Sequence, residues 1–146
     1  MKSSKQKKTP LLTAIKKYID SNPVPFDVPG HKMGRIHNEF TDLIGIKVYQ
    51  ADINAPIGID NLYKGTGVIF ESEMLLAEAY DADKAIFLIN GTTSGIMTMI
   101  MGCVNSGEKI ILPRNVHKSA INALIVSGAI PVFVEPDFDP ENGISN

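Results

Sequence analysis

Apolar positions along this chain follow one rhythm up to about residue 80 and another beyond it. Leu11, Leu12, Ile15, Tyr18 and Ile19 share one face at helical spacing. They predict a helix with Thr9-Pro10 as cap and first-turn proline, ending at Ser21-Asn22-Pro23. From Pro23 to Gly67 the text is rich in turn residues, and only a short helix around 38–44 is expected there. So long an irregular stretch in a compact domain tends to carry function. A further helix is expected over about 68–80, with Ile69, Leu75, Leu76 and Ala79 as its apolar face.

Beyond that helix, short apolar runs alternate with helical patterns. The expected order is strand 84–89, helix near 93–104 stopped by Asn105-Ser-Gly107, strand 109–112, helix near 117–127 ending at Gly128, and strand 130–134. This β-α-β-α-β order with short connections predicts a parallel sheet with crossover helices. The strands are nearly all apolar, as expected where both faces are covered. Three strands alone leave two unprotected edges, so the pattern reads as the front portion of a larger α/β domain. The expected organisation is a flexible basic tail over 1–8, an N-terminal helix and loop segment over 9–67, and an incomplete α/β domain over 68–146.

Composition narrows the class of function. The 146 residues are 44% apolar and 21% charged, with a net charge of −2. That is an ordinary globular balance and argues against general binding to nucleic acid or anionic membranes. The basic start, Met1 to Lys8, is not followed by an apolar signal core, and the apolar stretch 95–104 is too short to span a bilayer. A cytoplasmic location is therefore expected. The single cysteine, Cys103, lies in an apolar run and is read as a small buried hydrophobe. Three histidines and one cysteine give no zinc spacing, and no Gly-x-Ser-x-Gly elbow is present.

The chemistry concentrates at Asn90-Gly-Thr-Thr-Ser-Gly95. A strand that turns sharply into a helix with hydroxyls on its first turn is a good phosphate receptor. Free N–H groups point at the anion, the helix dipole favours negative charge, and the hydroxyls add donors. A capped helix start needs one hydroxyl, whereas three stand here between glycines. The spacing is neither a Walker loop nor a dinucleotide fingerprint.

Arg114-Asn-Val-His-Lys-Ser119 follows the next expected strand, at the same carboxyl edge. Two readings of His117 stay open: with Ser119 it caps the helix, or its planar ring faces a ligand with Arg114 and Lys118 supplying positive charge. Lys118, one residue on, points elsewhere on a helix and is a poor candidate for a covalent anchor. Pro29-Gly-His-Lys-Met-Gly34 reads equally as an exposed basic turn or a binding loop, and His37 as a surface or helix-start residue.

Taken together, Phe26-Asp-Val-Pro-Gly-His-Lys-Met-Gly34, Asp60-Asn-Leu-Tyr, Thr66-Gly-Val-Ile69, Ala77-Glu-Ala-Tyr-Asp-Ala-Asp83, the 88–95 turn and Arg114 to Ser119 form an ordered set. The set resembles the N-terminal part of the pyridoxal-phosphate-dependent ornithine/lysine/arginine decarboxylases of bacterial type, over roughly 9–144. The resemblance implies the front portion of an aminotransferase-like (fold type I) large domain, three-layered with a parallel or mixed sheet. It implies that Gly91, Thr92, Thr93 and Ser94 hold the 5′-phosphate of pyridoxal 5′-phosphate and that His117 stacks on its ring. It places the His31-Lys32 loop and the 52–60 segment near the active-site entrance or a dimer interface. A basic amino acid as substrate and a homodimer or higher homo-oligomer are implied as well. The family's Schiff-base lysine sits in a Ser-x-His-Lys context, which is absent from these 146 residues, so the fragment alone is expected to be inactive. Other fold-type-I enzymes (an aminotransferase or a carbon–sulfur lyase) and a non-catalytic remnant binding phosphate or a partner subunit remain as alternatives.

Overall fold

The computed structural model describes residues 4–145 and divides into two compact units, Met1–Phe87 and Leu88–Asn146. In the first unit, α1 (Pro10–Asp20) begins with Pro10 in its first turn, where a missing N–H costs nothing, and Thr9 makes no side-chain cap bond. The basic tail, expected to be flexible, includes a 3₁₀ turn over Ser4–Lys7. Lys5 Nζ lies 2.7 Å from Glu78 Oε2, and Gln6 Nε2 donates to the Leu75 carbonyl at 3.1 Å. The first three residues of that tail lie outside the described part. The stretch expected to hold one short helix holds two. The helix α2 (Glu39–Ile44) starts with a capping box, in which Asn38 Oδ1 accepts from the Thr41 N–H and Thr41 Oγ1 accepts from the Asn38 N–H. After Gly45 (φ +83°) comes α3 (Ile46–Ala51). The unit is completed by α4 (Val68–Ala79), which packs on α1; the Leu11 N–H reaches Ser72 Oγ at 3.3 Å.

The second unit begins with α5 (Gly91–Cys103), followed by β1 (Lys109–Pro113), α6 (Lys118–Ser127) and β2 (Ile130–Val134). The two strands pair in parallel, Ile111 opposite Val132, as the β-α-β pattern predicts. A short antiparallel pair, β3 (Phe138–Asp139) and β4 (Ile144–Ser145), lies near the end of the chain. Ile100, Ala120 and Ala123 form the buried centre, with Ile96, Met97, Ile110, Leu112 and Val116 packed around it. Thus α5 and α6 cover one face of the β1–β2 sheet. Ile111, 71% exposed, and Val132 point to the other face.

Two expectations are corrected here. The run 84–89 is not a strand: it has no ladder partner among the described residues, and Ile86 and Ile89 are about three-quarters exposed (74% and 75%). Apolar content makes a strand only when a neighbour accepts its hydrogen bonds. Part of the run is tied down by a side chain instead, the Phe87 N–H donating to Glu73 Oε1 at 2.9 Å. Cys103, read as buried, is exposed. It is the last residue of α5, and the core cluster that buries Ile100 does not extend to it.

Candidate functional site

The direction of the chain brings two helix starts to one edge. A five-residue connection reverses the chain between α5 and β1, and a four-residue one reverses it again between β1 and α6. The far ends of both helices meet, because the Gly107 N–H donates to the Gly128 carbonyl at 2.9 Å beside the αL glycine that closes α6. Since α5 and α6 pack along each other, their N-termini lie together at the carboxyl end of β1.

At the first of these starts, Asn90 makes no side-chain cap bond, so its side chain leaves the first-turn N–H groups of α5 to another acceptor. Gly91 takes φ +70°, and a Cβ there would meet open space, which leaves its backbone approachable. Thr92 and Thr93 are exposed. Ser94 differs from them: its Oγ donates to the Gly91 carbonyl at 2.8 Å, so its proton is committed within the turn. An uncapped helix start with two threonine hydroxyls and an unencumbered glycine fits a phosphate group.

At the second start, His117 is the N-cap of α6, with extended backbone (φ −61°, ψ 145°). Its Nδ1 accepts from the Ser119 N–H at 3.2 Å and lies 2.9 Å from Ser119 Oγ, while the residue itself is exposed. The capping reading is therefore correct as far as Nδ1 is concerned. It does not exclude the ligand reading, because capping uses one ring nitrogen and leaves the ring faces out of the bond. The Arg114 guanidinium sits 5.2 Å from the centre of the Phe133 ring, within cation–π range.

The His31-Lys32 loop belongs to the first unit. His31 Nε2 is 3.1 Å from Asp52 Oδ2, and its ring meets the Tyr49 ring edge-on at 4.9 Å. Its Nδ1 is buried with no hydrogen-bond partner among the described residues. Lys32 Nζ donates to the Asp27 carbonyl. Lys32, Met33 and Gly34 all have positive φ, and a Cβ on Gly34 would come 2.9 Å from Ile46 Cγ1, so α3 is seated directly on this turn. The pairing of His31 with Asp52 and Tyr49 has no local signature, because the partners are some 20 residues apart and meet only when α3 folds back. His37 stands just before the α2 cap, exposed, with Nε2 2.8 Å from Asp42 Oδ1. Among the described residues there is no group of metal-binding side chains, and no helix is long and apolar enough to cross a membrane.

Comparison with known proteins settles the family. The model of the Orn/Lys/Arg decarboxylase major domain matches residues 9–146. The chain belongs to the Orn/Lys/Arg decarboxylase family. It is 43% identical over 142 residues to an arginine decarboxylase of Bacillus subtilis (strain 168), a match covering 97% of this chain and 29% of that protein. An inducible ornithine decarboxylase of Lactobacillus sp. (strain 30a) is 31% identical over 139 residues, covering 90% of this chain and 19% of that one. Among solved structures, the constitutive lysine decarboxylase of E. coli superposes with a TM-score of 0.81 at 26% identity, covering 94% of this chain and 20% of the other. The chain thus spans under a third of the length of these decarboxylases.

Proposed function

We propose that this chain forms one wall of the pyridoxal 5′-phosphate site of a basic amino-acid decarboxylase, within an aminotransferase-like (fold type I) large domain. What carries the reading is a hydroxyl-bearing start of α5 at Gly91 to Thr93, without an Asn90 cap bond, and His117 at the start of α6, the helix that packs along it. The first-turn N–H groups of α5 and the hydroxyls of Thr92 and Thr93 bind the 5′-phosphate, where the helix dipole favours its charge. Ser94 acts through the turn, bracing the Gly91 carbonyl with its Oγ. The His117 ring lies against the pyridine ring and keeps water from that face. When bound, pyridoxal phosphate supplies the electron sink for loss of the α-carboxylate of a basic amino acid. The covalent lysine anchor comes from outside these 146 residues, so the chain alone orients the cofactor and does not turn over substrate. The working assembly is a cytoplasmic homodimer or higher homo-oligomer. His31 and Lys32 lie at its entrance or subunit interface.

Pyridoxine 5′-phosphate is the probe of choice, because it carries the phosphate without the aldehyde that reacts with any exposed lysine. Equilibrium dialysis against the 146-residue chain should give binding at least tenfold tighter for pyridoxine 5′-phosphate than for pyridoxine. Equal retention of the two compounds would remove the phosphate assignment. Decarboxylation of ornithine, lysine or arginine by this chain alone would overturn the claim that its anchor lies elsewhere.

A further inference from the structure

Ser119 is fully buried, with 0% exposure, and both of its donors converge on one atom. Its backbone N–H lies 3.2 Å and its Oγ 2.9 Å from Nδ1 of His117. A backbone amide can only donate, so Nδ1 must present its lone pair to α6. The hydroxyl facing the same nitrogen must then donate as well. A neutral imidazole carries one proton, which this arrangement leaves on Nε2. The opposite tautomer would let Ser119 Oγ accept from Nδ1–H but would set that N–H against the buried Ser119 amide, which would lose its acceptor.

Capping alone does not account for this pair. Serine, threonine, aspartate and asparagine cap helix starts better than histidine does. A serine in the first turn is ordinarily exposed, whereas this one is buried with its hydroxyl on the capping ring. Two donors on one ring nitrogen fix both the proton's location and the ring's rotation about its bond to Cβ.

We propose that Ser119 is a positioning residue for His117, selecting the Nε2–H tautomer and holding the ring in a single orientation at the start of α6. The value of that orientation to a cofactor rests on the proposed function above. The tautomer itself does not.

The test is long-range proton–nitrogen NMR of the histidine rings in the 146-residue chain at alkaline pH, with His117 assigned by its loss in His117→Asn. Wild type should show a pyridine-type Nδ1 and a pyrrole-type Nε2 at His117. Ser119→Ala keeps the backbone donor but loses the hydroxyl, so the preference should fall about fivefold and both nitrogen shifts should move toward averaged values. Ser119→Cys, with a weaker donor of similar size, should lie between. Far-UV circular dichroism of each variant shows whether α6 survives, which a purely structural effect would not leave intact. A pyrrole-type Nδ1 in wild type, or an unchanged ratio in a folded Ser119→Ala chain, would overturn the proposal. The expected tautomer in a chain that binds no pyridoxine 5′-phosphate supports it, while sinking the functional reading on which its use depends.

Discussion

A Cβ placed on Gly67 would stand 2.1 Å from Oδ2 of Asp60, the carboxylate that faces the start of α4. The same oxygen lies 3.4 Å from the Ile69 N–H, so Asp60 puts negative charge where the helix dipole welcomes it. Gly67 also has φ +94° and ψ −166°, a region essentially closed to residues with a side chain.

Gly67→Ala should therefore destabilise the first unit by about 2–3 kcal/mol, combining backbone strain with displacement of Asp60. Urea unfolding followed by circular dichroism measures it. Adding Asp60→Ala should recover only part of the loss, because the strain remains when the clash is gone. Full recovery would mean that backbone conformation is not the constraint.

Thr92→Ala combined with Thr93→Ala should weaken binding of pyridoxine 5′-phosphate on the order of tenfold or more, since hydrogen bonds to charged groups contribute about 1.5–3 kcal/mol each. The backbone donors of α5 persist, so binding should fall without vanishing. Ser94→Ala should have a smaller effect, its proton already being spent on the Gly91 carbonyl. An affinity unchanged in the double variant counts against a phosphate at this turn.

Asp139 anchors the turn between β3 and β4. The Asn142 side chain donates to Oδ2 at 2.7 Å, and the N–H groups of Glu141 and Asn142 donate to Oδ1. Above all the Asn142 side chain, then these N–H groups, hold the carboxyl below the ordinary aspartate value. Because the folded value is the lower one, the stabilisation is complete above the ordinary aspartate pKa and fades as pH falls through the depressed value. An NMR titration of the Asp139 carboxyl should show that depression, and Asn142→Ala should bring it back toward the ordinary range. A titration unaffected by Asn142→Ala would show that the side chain is not the main cause.

Ile100 is the largest side chain in the cluster between α5 and α6, its neighbours Ala120 and Ala123 being small. Ile100→Ala should cost about 2–4 kcal/mol and loosen the helices that carry both Thr92 and His117. Hydrogen exchange should show faster opening across α5 and α6 together. Loss of protection in one helix only would argue that the two starts are not held as one unit.

Local pattern was enough wherever one segment could decide its own state. The apolar face of α1, the proline in its first turn, the glycine closing α6 and the apolar text of β1 and β2 all act within a few residues. The turn at 90–95 was legible for the same reason, since a hydroxyl-rich helix start is a local arrangement. The run at 84–89 was misread because a strand is defined by its partner, and none pairs with it among the described residues. Cys103 was misread because periodicity gives a helix face but not how far the core extends along it.

The sequence by itself determined α1, α2, α4, α5 and α6 but not α3, that β1 and β2 run parallel, and that hydroxyls and a histidine stand at helix starts. Tertiary structure decided the pairings between segments: it set His31 against Asp52 and Tyr49, tied the Phe87 N–H to Glu73 and buried Ser119. The physical reason is range. Helix propensity and capping act over one turn of chain, whereas a hydrogen bond's partner is chosen by burial and packing between segments distant in sequence.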